Sequence, residues 1–382
     1  MSLTMIIGTG RCGSTMLSRI LRMHPEILSI SEFWRAFPQE EGSSDIWNLF
    51  SQVEASISAG DISGAEFWRQ ITVIDTAIDG MADAGIFIKA GGDQIGFDPT
   101  ARMPPIWRVL MQLTDDPDPL YQALAAEVPR WPSRPTADHC RALFAEMSAR
   151  LGRDAIVERT GASASLMPMF REQFPEARYL FLHRDGPDSS MSMSRNPFYR
   201  LAVMRIMVDA VSNPSPALPA DMLPTEIGSA GAEEFRGLIA PPFDAIRFME
   251  YPLPPQIFGW LWSLMTRIGT REIRQVPSGR WTTMRYEHLI ENPRTELTRL
   301  ASFIGVTASP QWLAEAEEWI DPGRPGKAAS RLHARALDAL KAACAAGTRA
   351  FDLLESEHAV LLSVLARFGH RNSGRPGGHS PG

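Results

Sequence analysis

Cysteine is scarce. Cys12, Cys140 and Cys344 are the three in 382 residues, far apart and in no metal-ligand spacing. An odd, sparse set points to a reducing compartment, the cytoplasm. There is no uninterrupted apolar run of 18 residues, so no membrane span is expected. There is no internal repeat. Nor is there an excess of basic charge: the net charge is −6, which speaks against a broad electrostatic grip on nucleic acid. Any anion site must be a local cluster of cations on an acidic background. A glycine-rich loop begins at residue 8, leaving no room for a cleavable leader. The Gly/Pro-rich end, 373–382, is expected to be a disordered tail. The length suffices for a large core, as one enlarged domain or two.

What is present is organised around Gly8 to Thr15, GTGRCGST. The apolar run Met5-Ile6-Ile7 before it reads as a buried strand. Met16, Leu17, Ile20 and Leu21 after it lie on one face of a helix. Strand, glycine turn and helix N-terminus make an anion site, because the first N–H groups of a helix lack intrahelical partners and carry partial positive charge. Gly10 and Gly13 allow close approach, Ser14 and Thr15 add hydroxyls, and Arg11 adds a fixed charge. Cys12 reads as a small residue in the loop. A nucleoside-triphosphatase loop, G-x-x-x-x-G-K-[ST], would need lysine where Ser14 stands.

A second informative stretch runs from Ala155 to Asn196. Strand-like runs at Ala155 to Glu158 and Arg178 to Leu182 flank a helix, a βαβ unit that predicts a largely parallel sheet. Arg184 follows the second strand, where ligands bind in open α/β sheets. Ser192 lies eight residues on, in a helix opened by Pro187 and Asp188. VERTG, Val157 to Gly161, ends the strand before and carries Arg159. A third stretch, Arg280 to Val306, joins a strand-like WTTM to Tyr286 and to a helix with Asn292 at its cap, Pro293 at its first position and Gly305 at its stop.

The remaining chain is read more coarsely. EILSISEF is extended and delivers Glu32. Helices are expected at 45–57, 66–78 and 138–151, and a short strand at 85–92 ending near Lys89. Short helices are expected between 93 and 135. A core helix carries Trp260, Leu261, Leu264 and Met265. The DPGRPGKAASR segment, with Arg324, Gly326 and Lys327, reads as a solvated basic loop.

Taken in order, the Arg11 loop, the Arg184–Ser192 pair and the Tyr286 segment resemble the signatures of sulfotransferases that use 3′-phosphoadenosine-5′-phosphosulfate (PAPS). The resemblance spans roughly residues 5 to 306. It implies an α/β fold of the P-loop nucleotide-binding type, a central, mostly parallel sheet flanked by helices. Residues 1–372 would form that domain, with helical insertions near 34–150 and 197–275. It also implies transfer of a sulfuryl group from PAPS to a hydroxyl or amine of a small-molecule, carbohydrate or lipid acceptor. Gly10, Arg11, Cys12, Gly13, Ser14 and Thr15 would hold the 5′ side of the cofactor. Arg184 and Ser192 would hold the 3′-phosphate, and Tyr286 would lie beside the adenine. Arg324 to Lys327 resembles, loosely, the late basic loop over that phosphate.

Arg159 stands near the family's Lys-Thr segment. The animal cytosolic branch has a catalytic His where this chain has Ala162. Glu32 is the candidate general base, with Arg11 and Arg159 beside it in the catalytic set. His24 reads as a helix-end histidine. No metal ligands are expected. Two other classes stay open: a P-loop kinase, and a catalytically silent nucleotide-binding protein of the same fold.

Overall fold

The computed structural model describes residues 2–37, 53–72, 104–212, 229–240, 243–320 and 326–372. The strand expected at 85–92, with Lys89, lies outside them. So do Arg324, residues 45–52 and 73–78 of two expected helices, and the tail 373–382.

Five strands form the central sheet: β1 (Ser2–Ile7), β2 (Ile27–Ser31), β3 (Ala155–Arg159), β4 (Arg178–His183) and β5 (Trp281–Arg285). Their order is β2-β3-β1-β4-β5, and every pairing is parallel. The α/β architecture with a parallel sheet is therefore as the βαβ pattern predicts. Parallel strands are buried on both faces, and in these five strands every residue but Ser2, Leu3, Arg178 and Arg285 is buried. Successive residues alternate between two cores. Met5, Ile7, Tyr179 and Phe181 face one; Ile6, Leu180 and Leu182 face the other.

The helices that matter to the site are few. α1 (Ser14–Met23) follows β1 and buries Leu17, Ile20 and Leu21 against the second core. α2 (Thr136–Leu151) begins two residues before the expected helix. α3 (Met167–Gln173) crosses from β3 to β4. α4 (Gly186–Met193) follows β4, capped by the Asp185 side chain, which accepts from the Asp188 N–H at 3.0 Å. α5 (Pro197–Ser212) comes next, and α6 (Pro255–Ile273) holds the expected core residues Leu261 and Met265, buried. α7 (Tyr286–Glu291) and α8 (Pro293–Ile304) follow β5, and Gly305 ends α8 at φ 97°. Asn292 does occupy the cap position of α8, but its side chain makes no capping bond there. α9 (Pro310–Glu318) covers α1, and its buried Trp312 donates Nε1–H to the Ile20 carbonyl at 2.9 Å.

Two further helices close the chain. α10 (Lys327–Arg331) is a single short turn, so the basic stretch is partly helical and not simply a loop. α11 (Ala334–Asn372) spans 39 residues and packs along α6. Arg285 at the end of β5 reaches it with ion pairs to Asp352 and Glu355, both 2.6 Å. Phe351 stacks on His183 at 3.8 Å between ring centroids.

Candidate active site

The C-terminal ends of β1, β2, β3 and β4 converge on the glycine loop. Among the described residues, three that are not glycine have positive φ: Arg11 (56°), Glu32 (60°) and Ala162 (61°). They follow β1, β2 and β3. Left-handed backbone is costly for residues with a Cβ and tends to gather where function imposes it. Gly10 and Gly13 are left-handed too, at 72° and 86°. A Cβ on Gly13 would come within 2.2 Å of the Tyr286 ring, and one on Gly10 within 1.7 Å of the Tyr199 hydroxyl. Only glycine fits either place. Gly13 caps α1 and has no side chain to occupy the first N–H groups of the helix.

The neighbours of the loop hold it in shape. Ala164 donates its N–H to the Gly8 carbonyl at 3.0 Å. Tyr199 donates its hydroxyl to the Thr9 carbonyl at 2.9 Å. Arg184 donates Nη1–H to the Arg11 carbonyl at 3.4 Å. The Arg11 side chain is exposed and donates Nε–H to Ser192 Oγ at 3.0 Å. Two of the residues singled out from sequence, 181 apart in the chain, thus touch.

Cys12 is different from the rest of the loop. Its thiol is buried beside Leu17 and Leu182, and burial pushes its pKa up. It has only its backbone to offer a ligand. Ser14 is buried at the start of α1 and Thr15 is exposed.

On the β4 side of the loop lies a cavity of about 220 Å³. Arg184, Ser192, Arg195, Lys327 and Arg331 line it, with Asp188 as the acidic group. Partial burial, with the nearby charges of Arg331 and Arg11, lowers the Arg195 pKa. Like charges crowded in this way favour a bound anion. Arg184 lies over the Tyr286 ring, its Cζ 4.7 Å from the centroid, and its buried Nε has no partner. Tyr286 is 2 % exposed, between this guanidinium and Gly13. Tyr286 thus packs between the loop and the Arg184 guanidinium.

Arg195 and Arg331 were not in the sequence-derived site, and Lys327 lay in the segment that loosely resembles the family's late basic loop but reads by itself as a solvated loop. A signal existed: Arg195 is three residues past Ser192, and Lys327 and Arg331 are four apart, hence on one helical face.

On the other side of the loop, beyond β3, stands Glu32. Its N–H donates to the Arg159 carbonyl at 2.7 Å, fixing the turn after β2. Its carboxylate takes donors from Arg159, from Arg35 Nε at 3.0 Å and from the Gly161 N–H at 3.3 Å. Burial works against its charge, but Arg35, Arg159 and the Gly161 N–H outweigh it and hold the carboxyl below its usual range. Glu32 does not line the 220 Å³ cavity. It flanks the loop through Gly161 and Tyr199: a Cβ on Gly161 would lie 3.5 Å from Glu32 Oε1 and 3.9 Å from the Tyr199 hydroxyl. The Arg159 guanidinium is committed to Glu32 through Nη1, while its buried Nε has no partner. His24 is buried away from the site, with Nε2 at 2.9 Å from the Thr307 carbonyl.

Among the described residues no group of three or more His, Cys, Asp or Glu side chains could hold a metal ion. None of the described helices is long and apolar enough to cross a membrane.

Solved sulfotransferases are similar to this chain. One is the sulfotransferase domain from the Synechococcus PCC 7002 olefin synthase: 16% identity over 90% of this chain and 94% of that one, TM-score 0.42. Another is the sulfotransferase domain from the curacin biosynthetic pathway: 15% identity over 87% and 82%, TM-score 0.42. A third is sulfotransferase STF9 from Mycobacterium avium: 13% identity over 89% and 74%, TM-score 0.36. No protein-family model matches the sequence, and no curated protein matches it. Likeness this distant leaves the chemistry to be argued from the residues at the site.

Proposed function

We propose that this chain is a sulfotransferase that binds PAPS and transfers its sulfuryl group to a hydroxyl or amine. The acceptor is a small molecule, a carbohydrate or a lipid. One observation carries the reading. Two places suited to anions, the glycine loop and the cavity that among the described residues has four cations to one carboxylate, are joined by the bond from Arg11 to Ser192. A nucleotide with anionic groups on both its 5′ and 3′ sides suits such a pair. The residues present fit it: the glycines clear the approach, and the buried Arg184 Nε lacks a partner.

In this reading the backbone of Gly10 to Thr15 and the Ser14 and Thr15 hydroxyls hold the 5′ side. Arg184, Ser192, Arg195, Lys327 and Arg331 hold the 3′-phosphate, with Arg184 able to give two bonds. When bound, PAPS supplies an activated sulfuryl group. Arg11 provides a fixed charge at the loop, where charge grows on the departing phosphate. Glu32 accepts the proton of the acceptor hydroxyl or amine as that atom bonds to sulfur. Arg159 and Arg35 keep Glu32 ionised and oriented. A carboxylate held so low is a weak base, so the acceptor must sit within hydrogen-bond reach of it. The three cysteines are free and buried, which supports a cytoplasmic setting.

A second reading has one observation in its favour. The Glu32 carboxylate is already occupied by Arg159, Arg35 and Gly161, as in a purely structural clamp. A catalytically silent nucleotide-binding protein would look the same. Turnover of PAPS with a panel of acceptors separates the two.

Calorimetry with 3′,5′-adenosine bisphosphate, 5′-AMP and ATP tests the nucleotide. The bisphosphate is expected to bind tightest. Arg184→Ala should weaken it by roughly 1.5–3 kcal/mol, the worth of a charged hydrogen bond, and weaken 5′-AMP far less. Equal losses for both nucleotides, or preferred binding of ATP, would defeat the assignment.

A further inference from the structure

Among the described residues Asp188 is the one acidic side chain lining the cation cavity, and it does not face the cavity as a free charge. The residue is 5 % exposed. Its Oδ2 accepts the Gly326 N–H at 2.7 Å and its Oδ1 accepts the Ala328 N–H at 2.8 Å. Oδ2 also accepts from Arg184 Nη2 at 3.3 Å. One carboxylate therefore ties α4, the Arg184 side chain and the start of α10 together. The tie spans 138 residues between Asp188 and Gly326.

The charges explain why a tie is required. α10 carries Lys327 and Arg331 to the cavity rim, where Arg184, Arg195 and Arg11 are already crowded. Without a ligand, these cations repel one another. A five-residue helix has no stability of its own to resist that. Its cap, Gly326, is left-handed at φ 77° and has no side chain to bond the turn. The bonds to Asp188 supply what the segment lacks. They are charge-assisted and shielded from water, the setting in which such bonds are strongest.

We propose that Asp188 is a positioning residue: it holds the Lys327–Arg331 segment over the cavity before any ligand arrives. It thereby sets how strongly the site prefers a nucleotide with a 3′-phosphate. The second part rests on the PAPS reading above; the first does not. A cation cage held in advance costs the ligand less ordering on binding, so affinity rises without a new contact. Asp188 acts only through Arg184 and the 326–328 backbone, because three donors already surround its oxygens.

Two variants and two readouts test this. Asp188→Asn keeps the shape but loses the charge, and its amide group opposes one of the two backbone N–H groups. Asp188→Ala removes both acceptors. Amide hydrogen exchange is measured first, on ligand-free full-length protein. Exchange at Gly326 and Ala328 should speed up tenfold or more in Asp188→Ala, and at one or both positions in Asp188→Asn. The β1 and β4 amides should keep their protection, which shows that the variants are folded. Unchanged exchange at 326 and 328 in a folded variant overturns the proposal.

Calorimetry follows on the same proteins. The ratio of the 5′-AMP Kd to the 3′,5′-adenosine bisphosphate Kd should fall at least tenfold, with 5′-AMP affinity within threefold of wild type. Fast exchange with an unchanged ratio overturns the specificity role. If the wild type itself shows no preference for the bisphosphate, it is the PAPS reading that fails. The exchange result then upholds or overturns the holding role by itself.

Discussion

Glu32 concentrates the question of chemistry in one side chain. Three groups donate to its carboxylate, and two of them are guanidinium groups. Its folded-state pKa is depressed. Its contribution to stability is therefore present above the unfolded value, near 4.5, and is lost as pH falls through the lower folded value. Activity that depends on ionised Glu32 should accordingly keep its acid limb below pH 4.5. Glu32→Gln preserves shape and one acceptor oxygen but removes basicity. If Glu32 is the base, kcat should drop on the order of 10²–10⁴, with affinity for 3′,5′-adenosine bisphosphate nearly unchanged. Steady-state kinetics with calorimetry checks this. Normal turnover by the Gln variant would assign Glu32 to the structural clamp.

At the scale of the element, β3 is the informative strand. It lies between β2 and β1 and sends alternate residues to opposite faces. Val157 enters the core behind α1, and Glu158 enters the other face, wholly buried. Thr160 donates to Glu158 Oε1 at 2.6 Å, and the Trp34 indole is the carboxyl's other polar neighbour. Burial, with Glu32 adding to it, pushes the Glu158 pKa up to about 8. The sign is opposite to that of Glu32. The folded state keeps the proton, so stability falls as pH rises from the unfolded value toward the folded one. Glu158→Gln should leave stability nearly unchanged at pH 5 and raise it at pH 8, by on the order of 1–3 kcal/mol. Denaturant melts at the two pH values measure the difference. A variant less stable at pH 8 than wild type would mean that the carboxylate is ionised in the fold.

At the scale of the whole molecule, α11 joins the C-terminal part of the described chain to the sheet, and the sequence reading passed over it. It packs along α6 and takes Arg285 into two ion pairs, and its Phe351 stacks on His183 one residue before Arg184. His183 is fully buried with neither ring nitrogen partnered, and burial holds its pKa well below the usual value, so a neutral, apolar neighbour suits it. Phe351 is 0 % exposed. Phe351→Ala should cost about 3–5 kcal/mol, the usual range for a large buried aromatic. Thermal or urea unfolding reads that loss. A cost under about 1 kcal/mol would show that the helix is only loosely attached.

Legibility followed the range of the interactions. The loop, its flanking strand and helix, the βαβ unit and the Gly305 stop are set by neighbours a few residues apart. They could be read from period and turn chemistry, and with them the parallel sheet. Arg184 was legible as the residue just past a strand, whereas its pairing with Ser192 came from the family resemblance. Arg195, Arg331 and Asp188 were not legible, since their meaning depends on α10 folding back on α4 from 138 residues away.

By itself, then, the sequence determined a glycine turn at a helix start, with an Arg in the turn and another after the fourth strand. Those features follow from local backbone geometry and fixed charge. Only the tertiary structure decided that Glu32 would be clamped by Arg35 and Arg159 beyond one side of the loop. It alone decided that Tyr286 would be covered by Arg184 and Gly13, and that one buried carboxylate would gather the cations on the other side. Apart from the local Glu32–Arg35 pair, these are contacts between segments far apart in the chain, brought together by the sheet order and by α10 folding back on α4. No periodicity along the chain encodes these long-range pairs, because they are set by which elements the fold brings side by side.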